Sequence, residues 1–151
     1  FDMLIPFIES GANGISFHIE ATESRFTFPP KILINLVKKN FLKCGIAIKP
    51  KTPFSIIEKY LKFIDYVVVM SVEPGFGGQS FIPSTLEKIS EIDNFLKHKK
   101  LRDEILIQVD GGIKLENYED VINAGGDILV AGSQVFQSDD PVKTIQTMYQ
   151  E

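Results

Sequence analysis

The chain has 151 residues, 44% of them apolar and 24% charged, with a formal net charge of −4. This size and balance predict one soluble globular domain covering residues 1–151. The basic residues are scattered apart from a cluster at 98–100, which excludes the continuous positive surface of a nucleic-acid-binding protein.

No apolar run approaches the roughly 20 residues that a membrane-spanning helix needs, and no signal-peptide pattern opens the sequence. Cys44 is the single cysteine, so an internal disulfide is excluded. Its place within an apolar run predicts a small, buried packing residue. We therefore expect a cytoplasmic protein with neither a membrane nor a nucleic acid as its partner.

The predicted elements alternate between helical and strand-like segments along the chain. Residues 1–10 predict the end of a helix, with Gly11 as its terminator. Short β-rich runs then predict five strands, at 14–20, 44–48, 66–70, 105–109 and 128–131. Apolar residues at helical spacing predict helices at 30–40, 54–63, 84–98 and 116–123, and Asp140 with Pro141 predicts the start of a last helix. This alternation indicates repeated βα units and a parallel sheet.

Two α/β architectures fit such a sheet, an open doubly wound fold and a closed barrel. Periodicity does not separate them, but the loops favour the barrel. Glycines and polar residues follow the third, fourth and fifth strands, at 73–79, 110–112 and 132–133. Glycine-rich turns after consecutive late strands are typical of the phosphate site of β/α barrels.

The most specific string is residues 73–79, which contains Gly75, Phe76, Gly77 and Gly78. Glycine allows backbone N–H groups to approach an anion closely, because no Cβ is in the way. The string therefore predicts a phosphate-binding lid. The alternative is a flexible turn between a strand and a helix, which would need fewer glycines.

Two shorter pairs, Gly111 with Gly112 and Gly132 with Ser133, also follow predicted strands. Each would place backbone donors near the start of the next helix, where unpaired N–H groups and the helix dipole favour an anion. Taken singly, either pair is equally compatible with a turn in which glycine is needed only for the backbone conformation. Together with residues 73–79, the pairs predict that three loops converge on one anion site.

Asp110 closes the fourth strand, where barrel enzymes keep catalytic groups. A carboxylate there can bind a metal ion or move a proton, or it can serve as a capping or turn residue. We expect His18, also at a strand end, to be a hydrogen-bonded lining residue rather than a metal ligand. Glu20 and Glu23 are candidate acids or solvated loop residues. The position of Met70, at the end of the third strand, predicts a residue of the core or of the pocket floor.

Four strings carry a family resemblance: FHIEA at 17–21, VMSVEPGFGGQ at 69–79, VDGGI at 109–113 and VAGS at 130–133. In order and spacing they resemble the ribulose-phosphate 3-epimerase family. The resemblance covers essentially the whole chain, and the pairing of PGFGG with VDGGI is its most specific part. It implies a (β/α)8 TIM barrel that interconverts D-ribulose 5-phosphate and D-xylulose 5-phosphate, an isomerase reaction of the pentose phosphate pathway, with a divalent metal ion.

The resemblance also implies roles for individual residues. Asp110 resembles the aspartate that binds the metal ion and exchanges a proton with the substrate, and Met70 resembles a methionine of the pocket floor. Zinc, iron, manganese and cobalt all suit the implied oxygen and imidazole ligands. The implied site for the sugar phosphate comprises Gly75, Phe76, Gly77, Gly78, Gly111, Gly112, Gly132 and Ser133.

The family's other metal ligands and its substrate-binding serine belong to the first three strands of the barrel, which would lie before Phe1. We therefore expect about five C-terminal βα units of an incomplete barrel, and no activity from this truncated chain. An incomplete barrel would expose two strand edges and favour a homo-oligomer. Two alternatives stay open: a non-catalytic phosphate-binding remnant of the barrel, and a different phosphate barrel enzyme such as a decarboxylase or isomerase.

Overall fold

Strands and helices alternate through residues 3–22 and 28–149, the part of the chain that the computed structural model describes. The strands are β1 (Gly14–His18), β2 (Lys43–Ile48), β3 (Tyr66–Met70), β4 (Leu106–Asp110) and β5 (Ile128–Val130). The α-helices are α1 (Leu4–Glu9), α2 (Pro30–Lys39), α3 (Thr85–Lys99), α4 (Tyr118–Asn123), α5 (Gly132–Phe136) and α6 (Pro141–Met148). Short 3₁₀-helices cover Ile19–Thr22, Phe54–Ile56 and Glu58–Phe63. The expected α/β class is confirmed.

The five strands form one parallel sheet in the order β1-β2-β3-β4-β5. Each strand pairs with its neighbour in sequence, and the order never reverses. A doubly wound sheet requires such a reversal, whereas a β/α barrel does not. The strand order therefore favours the barrel arrangement. Because all strands run the same way, their C-terminal ends meet at one edge, here called the carboxyl edge, and their N-terminal ends meet at the amino edge.

The two faces of the sheet differ in what they bury. Alternate strand residues, Val67 and Val109 among them, are fully buried in the main core. Apolar side chains from the surrounding helices belong to the same core. On the opposite face, here called the inner face, Ala47, Val68 and Met70 form a separate small cluster. The inner face is therefore where side chains can serve a purpose other than core packing.

The helical segment predicted at 54–63 consists of two 3₁₀-helices, Phe54–Ile56 and Glu58–Phe63, rather than one α-helix. Phe54, Ile57 and Tyr60 are buried at intervals of three residues, which matches the three residues per turn of a 3₁₀-helix. A spacing of three is also compatible with an α-helix, so the sequence pattern does not distinguish the two.

Element ends agree with the sequence in some places and differ in others. β1 ends at His18 rather than Glu20, because Ile19–Thr22 turns into a 3₁₀-helix. Gly11 follows α1 with a φ of +83°, as expected of a helix terminator. Asp140 caps α6 by accepting a first-turn backbone N–H at 3.0 Å. No helix within residues 3–22 and 28–149 is long and apolar enough to cross a membrane.

Two aspartates join neighbouring strands at the amino edge. Asp65 immediately precedes β3 and accepts the backbone N–H of Cys44 in β2 at 2.7 Å. Asp127 immediately precedes β5 and accepts the backbone N–H of Ile107 in β4 at 2.7 Å. Each carboxylate thus satisfies a donor at the start of the adjacent strand.

Cations complete both of these aspartate sites. Lys38 and Lys43 lie 2.7 Å and 3.2 Å from the Asp65 carboxylate. Arg102 lies 2.7 Å from both Asp93 and Asp127, and so links α3 to the turn before β5. Partial burial alone would raise the pKa of Asp65, but hydrogen bonds from Lys38, the Cys44 N–H and Lys43 hold that pKa below its ordinary value. The amino edge is therefore a region of satisfied charges.

The single cysteine lies beside this edge. Cys44 is fully buried in β2 and unpaired. Burial raises the pKa of its thiol to about 12, so little reactive thiolate forms at neutral pH. The prediction of a buried packing residue is confirmed.

Candidate active site

Asp110 is the last residue of β4 and lies at the carboxyl edge. It is in register with Met70 of β3 and Val130 of β5, so its side chain shares the inner face with theirs. The preceding residue, Val109, belongs to the main core on the other face. Strand alternation therefore presents one carboxylate to the inner face while burying its neighbour.

A cleft of about 360 Å³ opens at the carboxyl edge, bounded by the loops that follow β3, β4 and β5. Asp110 is its one titratable side chain among the described residues. The three glycine-bearing loops meet at this single place, and the roles of their residues stay predictions. All ten site residues predicted from the sequence line the cleft: Met70, Gly75, Phe76, Gly77, Gly78, Asp110, Gly111, Gly112, Gly132 and Ser133.

One side chain shapes the loop at residues 73–79. Gln79 Nε2 donates hydrogen bonds to the backbone carbonyls of Glu73 at 2.7 Å and Phe76 at 2.9 Å. Phe76 is 83% exposed. No protein atom among the described residues lies within 4 Å of the position that a Cβ on Gly77 would take. The loop thus has a defined shape while its backbone stays accessible to a ligand.

The turn after β4 requires glycine at two positions. Gly111 has a φ of +121° and Gly112 a φ of +65°, conformations that other residues rarely adopt. A Cβ on Gly112 would lie 2.4 Å from the backbone nitrogen of Phe81, and one on Gly111 would lie 2.4 Å from the side chain of Val72. The turn therefore packs tightly against both ends of the preceding loop.

Two polar residues that support this turn were not predicted from the sequence. Ser71 is fully buried, its hydroxyl donates to the carbonyl of Gly111 at 2.5 Å, and its N–H donates to the carbonyl of Asp110 at 2.8 Å. Asn117 Nδ2 donates to the carbonyl of Gly112 at 3.0 Å. Ser71 could have been found from the sequence, because it places a hydroxyl group directly after an apolar strand. A hydroxyl that is buried at such a position needs a hydrogen-bond partner.

The Asp110 carboxylate is half-buried, and no residue in the described ranges donates a hydrogen bond to it. Burial raises the pKa of Asp110 above its ordinary value, and His18, when its ring is protonated, opposes part of that rise. A carboxylate with a raised pKa accepts a proton more readily than an ordinary aspartate does. This property suits a base in proton transfer.

His18 is the last residue of β1, and Glu20 follows it in the 3₁₀-helix Ile19–Thr22. His18 is in register with Ala47 of the inner face, and its Nδ1 lies 3.3 Å from Glu20 Oε2. The prediction of a hydrogen-bonded histidine is therefore confirmed, although neither residue lines the cleft itself. Glu23, the other candidate acid, lies outside the described residues.

Asp110 is the residue that would fit a divalent metal ion, because hard cations prefer oxygen ligands and its carboxylate has no hydrogen-bond donor in the described ranges. Residues 3–22 and 28–149 contain no group of three or more His, Cys, Asp or Glu side chains arranged to hold a metal. The described residues therefore offer one candidate oxygen ligand and no complete site.

A larger cleft, of about 580 Å³, lies between α4, β5, α5 and α6. Apolar side chains such as Leu129, Val135 and Ile145 line most of it. Its acidic residue, Asp127, is already bound by Arg102. Among the described residues that line it, this cleft has no carboxylate available for chemistry, so the smaller cleft beside Asp110 is the candidate active site.

Fold and site together define an α/β protein with a glycine-lined cleft and one available carboxylate at the carboxyl edge of a parallel sheet. The structure of 3-hexulose-6-phosphate synthase from Salmonella typhimurium matches 95% of this chain and 63% of its own, with a TM-score of 0.60 and 16% identity. A flavocytochrome b2 with sulfite bound matches 97% of this chain and 43% of its own, with a TM-score of 0.64 and 18% identity. At such identities the likeness concerns the fold alone.

The chain belongs to the Ribulose-phosphate 3 epimerase family, whose profile matches residues 2–136. Ribulose-phosphate 3-epimerase of Escherichia coli is 38% identical over 151 residues, which cover 99% of this chain and 64% of that protein. The protein of the same name from Buchnera aphidicola is 41% identical over 137 residues, covering 90% of this chain and 57% of that protein. The family resemblance seen in the sequence is confirmed. The chain spans less than two thirds of the length of these relatives.

Proposed function

We propose that the full protein is a ribulose-phosphate 3-epimerase, an isomerase that interconverts D-ribulose 5-phosphate and D-xylulose 5-phosphate in the pentose phosphate pathway. The observation that carries this proposal is that Asp110 shares one cleft with three glycine-bearing loops. The cleft thereby combines a carboxylate suited to proton transfer with backbone suited to a phosphate. Membership of the family supports the same reaction.

Epimerisation inverts the carbon atom next to a ketone. A base removes the weakly acidic C–H proton to leave a planar enediolate, and an acid returns a proton to the opposite face. Asp110 would supply one of these two groups, because its pKa is raised by burial and no described residue donates a hydrogen bond to it. The second group would lie across the substrate from Asp110, beyond the described residues that line the cleft.

The glycine loops would orient the substrate. The backbone of residues 75–78, 111–112 and 132–133 borders the cleft, and backbone without a Cβ can approach a phosphate closely. Gly132 begins α5 and Ser133 adds a hydroxyl. A phosphate held by these loops would fix the position of the sugar relative to Asp110. The activation barrier of the reaction is then lower, because the sugar has already lost its orientational freedom on binding.

We further propose that the site binds a divalent metal ion, with zinc, iron, manganese and cobalt as candidates. Asp110 would be one ligand, and any others would lie outside the described residues. When bound, such an ion stabilises negative charge on the oxygen atoms of the reacting group. The contribution of this chain's own carboxylate would be ligation and proton transfer.

We also propose that the five parallel strands are part of an eight-stranded β/α barrel, which their uninterrupted order supports. A chain limited to these 151 residues should then lack epimerase activity, because the reaction needs two acid/base groups and Asp110 is the one titratable side chain of the described cleft. The outer edges of β1 and β5, at the two ends of the strand order, would favour self-association.

A non-catalytic phosphate-binding protein is the second candidate. The single titratable side chain in the described cleft favours it, because phosphate binding does not require proton transfer. In both cases the partner is a small sugar phosphate. The unpaired, buried cysteine supports the cytoplasm as the compartment.

Solvent deuterium separates these two candidates. The full-length protein is incubated with D-ribulose 5-phosphate in deuterated water, and the sugar phosphates are then analysed by NMR. An epimerase forms D-xylulose 5-phosphate and places deuterium at C3, because the abstracted proton exchanges with solvent. A binding protein leaves stereochemistry and isotope unchanged, yet still binds the sugar phosphate in calorimetry. Absence of both product and deuterium would overturn the epimerase proposal.

The same assay, run on the 151-residue chain, tests its expected inactivity. We expect a rate more than about a hundredfold below the ordinary enzyme median of roughly 10 per second. A rate within that range would show that the chain itself holds both acid/base groups.

A further inference from the structure

His18 is the last residue of β1 and shares the inner face with Asp110. It is in register with Ala47, which is in register with Val68, and both belong to the inner cluster with Met70. Met70 is in turn in register with Asp110. An imidazole therefore lies on the same face as the carboxylate, two residues nearer the amino edge. The His18 side chain is 32% exposed, so a ligand can reach it.

Glu20 sets which nitrogen of this imidazole carries the proton. His18 Nδ1 lies 3.3 Å from Glu20 Oε2. A carboxylate only accepts hydrogen bonds, so Nδ1 of the neutral ring carries the hydrogen and Nε2 keeps its lone pair. No other described residue forms a hydrogen bond with the ring. One nitrogen is thus satisfied, while the other is available as an acceptor.

Glu20 is itself held by the loop that follows β2. Its Oε1 accepts the backbone N–H of Lys49 at 2.8 Å and the hydroxyl of Thr52. Partial burial alone would raise the pKa of Glu20, but hydrogen bonds from Thr52, Lys49 and His18 hold the pKa below its ordinary value. The carboxylate therefore stays ionised at neutral pH and keeps its acceptor role toward His18.

Lys88 of α3 anchors the same loop from the other side. Its ammonium donates to the carbonyls of Lys49 at 3.1 Å and Thr52 at 2.7 Å, and also to that of Pro50. These acceptors use all three donors of a lysine side chain. A lysine placed among backbone carbonyls in this way orders the loop rather than binding solvent. The loop at 49–52 is thus fixed between Lys88 and Glu20.

We propose that His18 is a further substrate-binding residue, which accepts a hydrogen bond from a sugar hydroxyl at Nε2, and that Glu20 and Lys88 are positioning residues that orient it. The identity of the substrate rests on the proposed function. A phosphate held by the loops after β3, β4 and β5 leaves the sugar free to extend over the inner face toward β1. His18 lies there, with its free nitrogen in the form that recognises a hydroxyl.

Nitrogen-15 NMR of the full-length protein tests the tautomer directly, at a pH high enough to leave the ring neutral. A His18→Gln variant assigns the signal, and we expect the proton on Nδ1. In Glu20→Gln, Oε1 can still accept from the loop, so the amide NH2 takes the place of Oε2 and can only donate. The proton should then move to Nε2. A proton on Nε2 in the unaltered protein, or no change in the variant, would overturn the arrangement.

Added ribulose 5-phosphate tests the contact with substrate. It should shift the Nε2 signal of His18, while the signal of the exposed His98, near the end of α3, stays in place as an internal control. A saturating sugar phosphate that left the His18 signal unmoved would contradict the proposed contact whether or not turnover occurs. Absence of turnover in the unaltered protein would instead refute the proposed function, so the two failures are distinguishable.

Kinetics of two variants test the positioning roles. Glu20→Gln should lower kcat/KM by about tenfold to a hundredfold, as expected when a charge-assisted hydrogen bond is lost and the tautomer is wrong. Lys88→Met should lower it by roughly threefold to tenfold. The exposed controls Glu58→Gln and Lys39→Met should stay within about twofold.

The affinity for inorganic phosphate separates positioning from general distortion. It should stay within about twofold in Glu20→Gln and Lys88→Met, because the phosphate loops follow other strands. A parallel loss of phosphate affinity, or kcat/KM equal to that of the exposed controls, would count against the proposal.

Discussion

Aspartate side chains have opposite environments at the two edges of the sheet. At the amino edge, Asp65 and Asp127 each accept a backbone N–H and bind at least one cation. At the carboxyl edge, no described residue donates a hydrogen bond to the Asp110 carboxylate. Burial acts to raise the pKa of both Asp65 and Asp110, but hydrogen bonds outweigh it only at Asp65, whose pKa is lowered.

This difference shows that the aspartates at the amino edge stabilise the fold, whereas the aspartate at the carboxyl edge is available for reaction. Carboxylates whose acceptors are filled join one strand to the next, whereas a carboxylate with unfilled acceptors is available to a ligand or a proton. A parallel β/α sheet permits the division, because loops at the carboxyl edge can vary without disturbing the pairing below them.

The largest expected effect is the loss of turnover in Asp110→Asn, measured on the full-length protein with ribulose 5-phosphate. Asparagine keeps the size and one acceptor but cannot take a proton, so the rate should fall by about 10² to 10⁴. Affinity for a sugar phosphate, measured by calorimetry, should change by no more than about threefold, since the glycine loops are untouched.

The matched control for this change is Asp65→Asn at the opposite edge, which should leave turnover within about threefold. If Asp110→Asn kept more than about a tenth of the rate, Asp110 would be a turn residue and the contrast between the two edges would fail.

The next effect concerns the turn that frames the cleft. Gly112→Ala places a Cβ 2.4 Å from the backbone of Phe81 at a φ of +65°, so the free energy of unfolding should fall by about 2–4 kcal/mol. Urea denaturation of the full-length protein measures it. Gly77→Ala is the control, because its Cβ would meet no protein atom within 4 Å among the described residues. Equal stability of the two variants would show that the turn can relax.

Asp65→Asn should lower the free energy of unfolding by about 1–2 kcal/mol, because it removes a charge that two lysines and a backbone N–H bind. The loss should depend on pH. A lowered pKa in the folded state stabilises the protein above the ordinary value of 3.8, and this contribution disappears as the pH falls through the folded-state pKa. Urea midpoints at neutral and acidic pH measure both effects. A loss that persisted in acid would point to packing rather than charge.

The smallest effect has the opposite sign. The pKa of Asp110 is raised by burial, so its ionised form is disfavoured in the folded state. Its stability contribution is most favourable below the ordinary value of 3.8 and is lost as the pH rises through the folded-state pKa. Asp110→Asn should therefore be slightly more stable than the unaltered protein at neutral pH, with chelator present, and the gain should vanish in acid. A destabilised variant at neutral pH would contradict the assignment of Asp110 as an unsatisfied carboxylate.

Local patterns were enough to locate the strands and the loops of the cleft. Apolar runs such as residues 66–70 identify strands because both faces are covered, and a glycine cluster after a strand identifies a loop that needs open backbone. Asp110 could be selected as a candidate for the same reason, since it directly follows an apolar run and precedes two glycines. These features depend on residues within a few positions of one another.

The sequence by itself therefore determined the order of βα units, the three glycine-bearing loops and the carboxylate among them. Only the tertiary structure decided which side chains meet across long separations: Ser71 with Gly111, Arg102 with Asp127, and Lys88 with the loop that holds Glu20. The partners in each pair lie 25 to 40 positions apart. Strand register and helix packing bring them together, and neither is encoded in a short stretch of sequence.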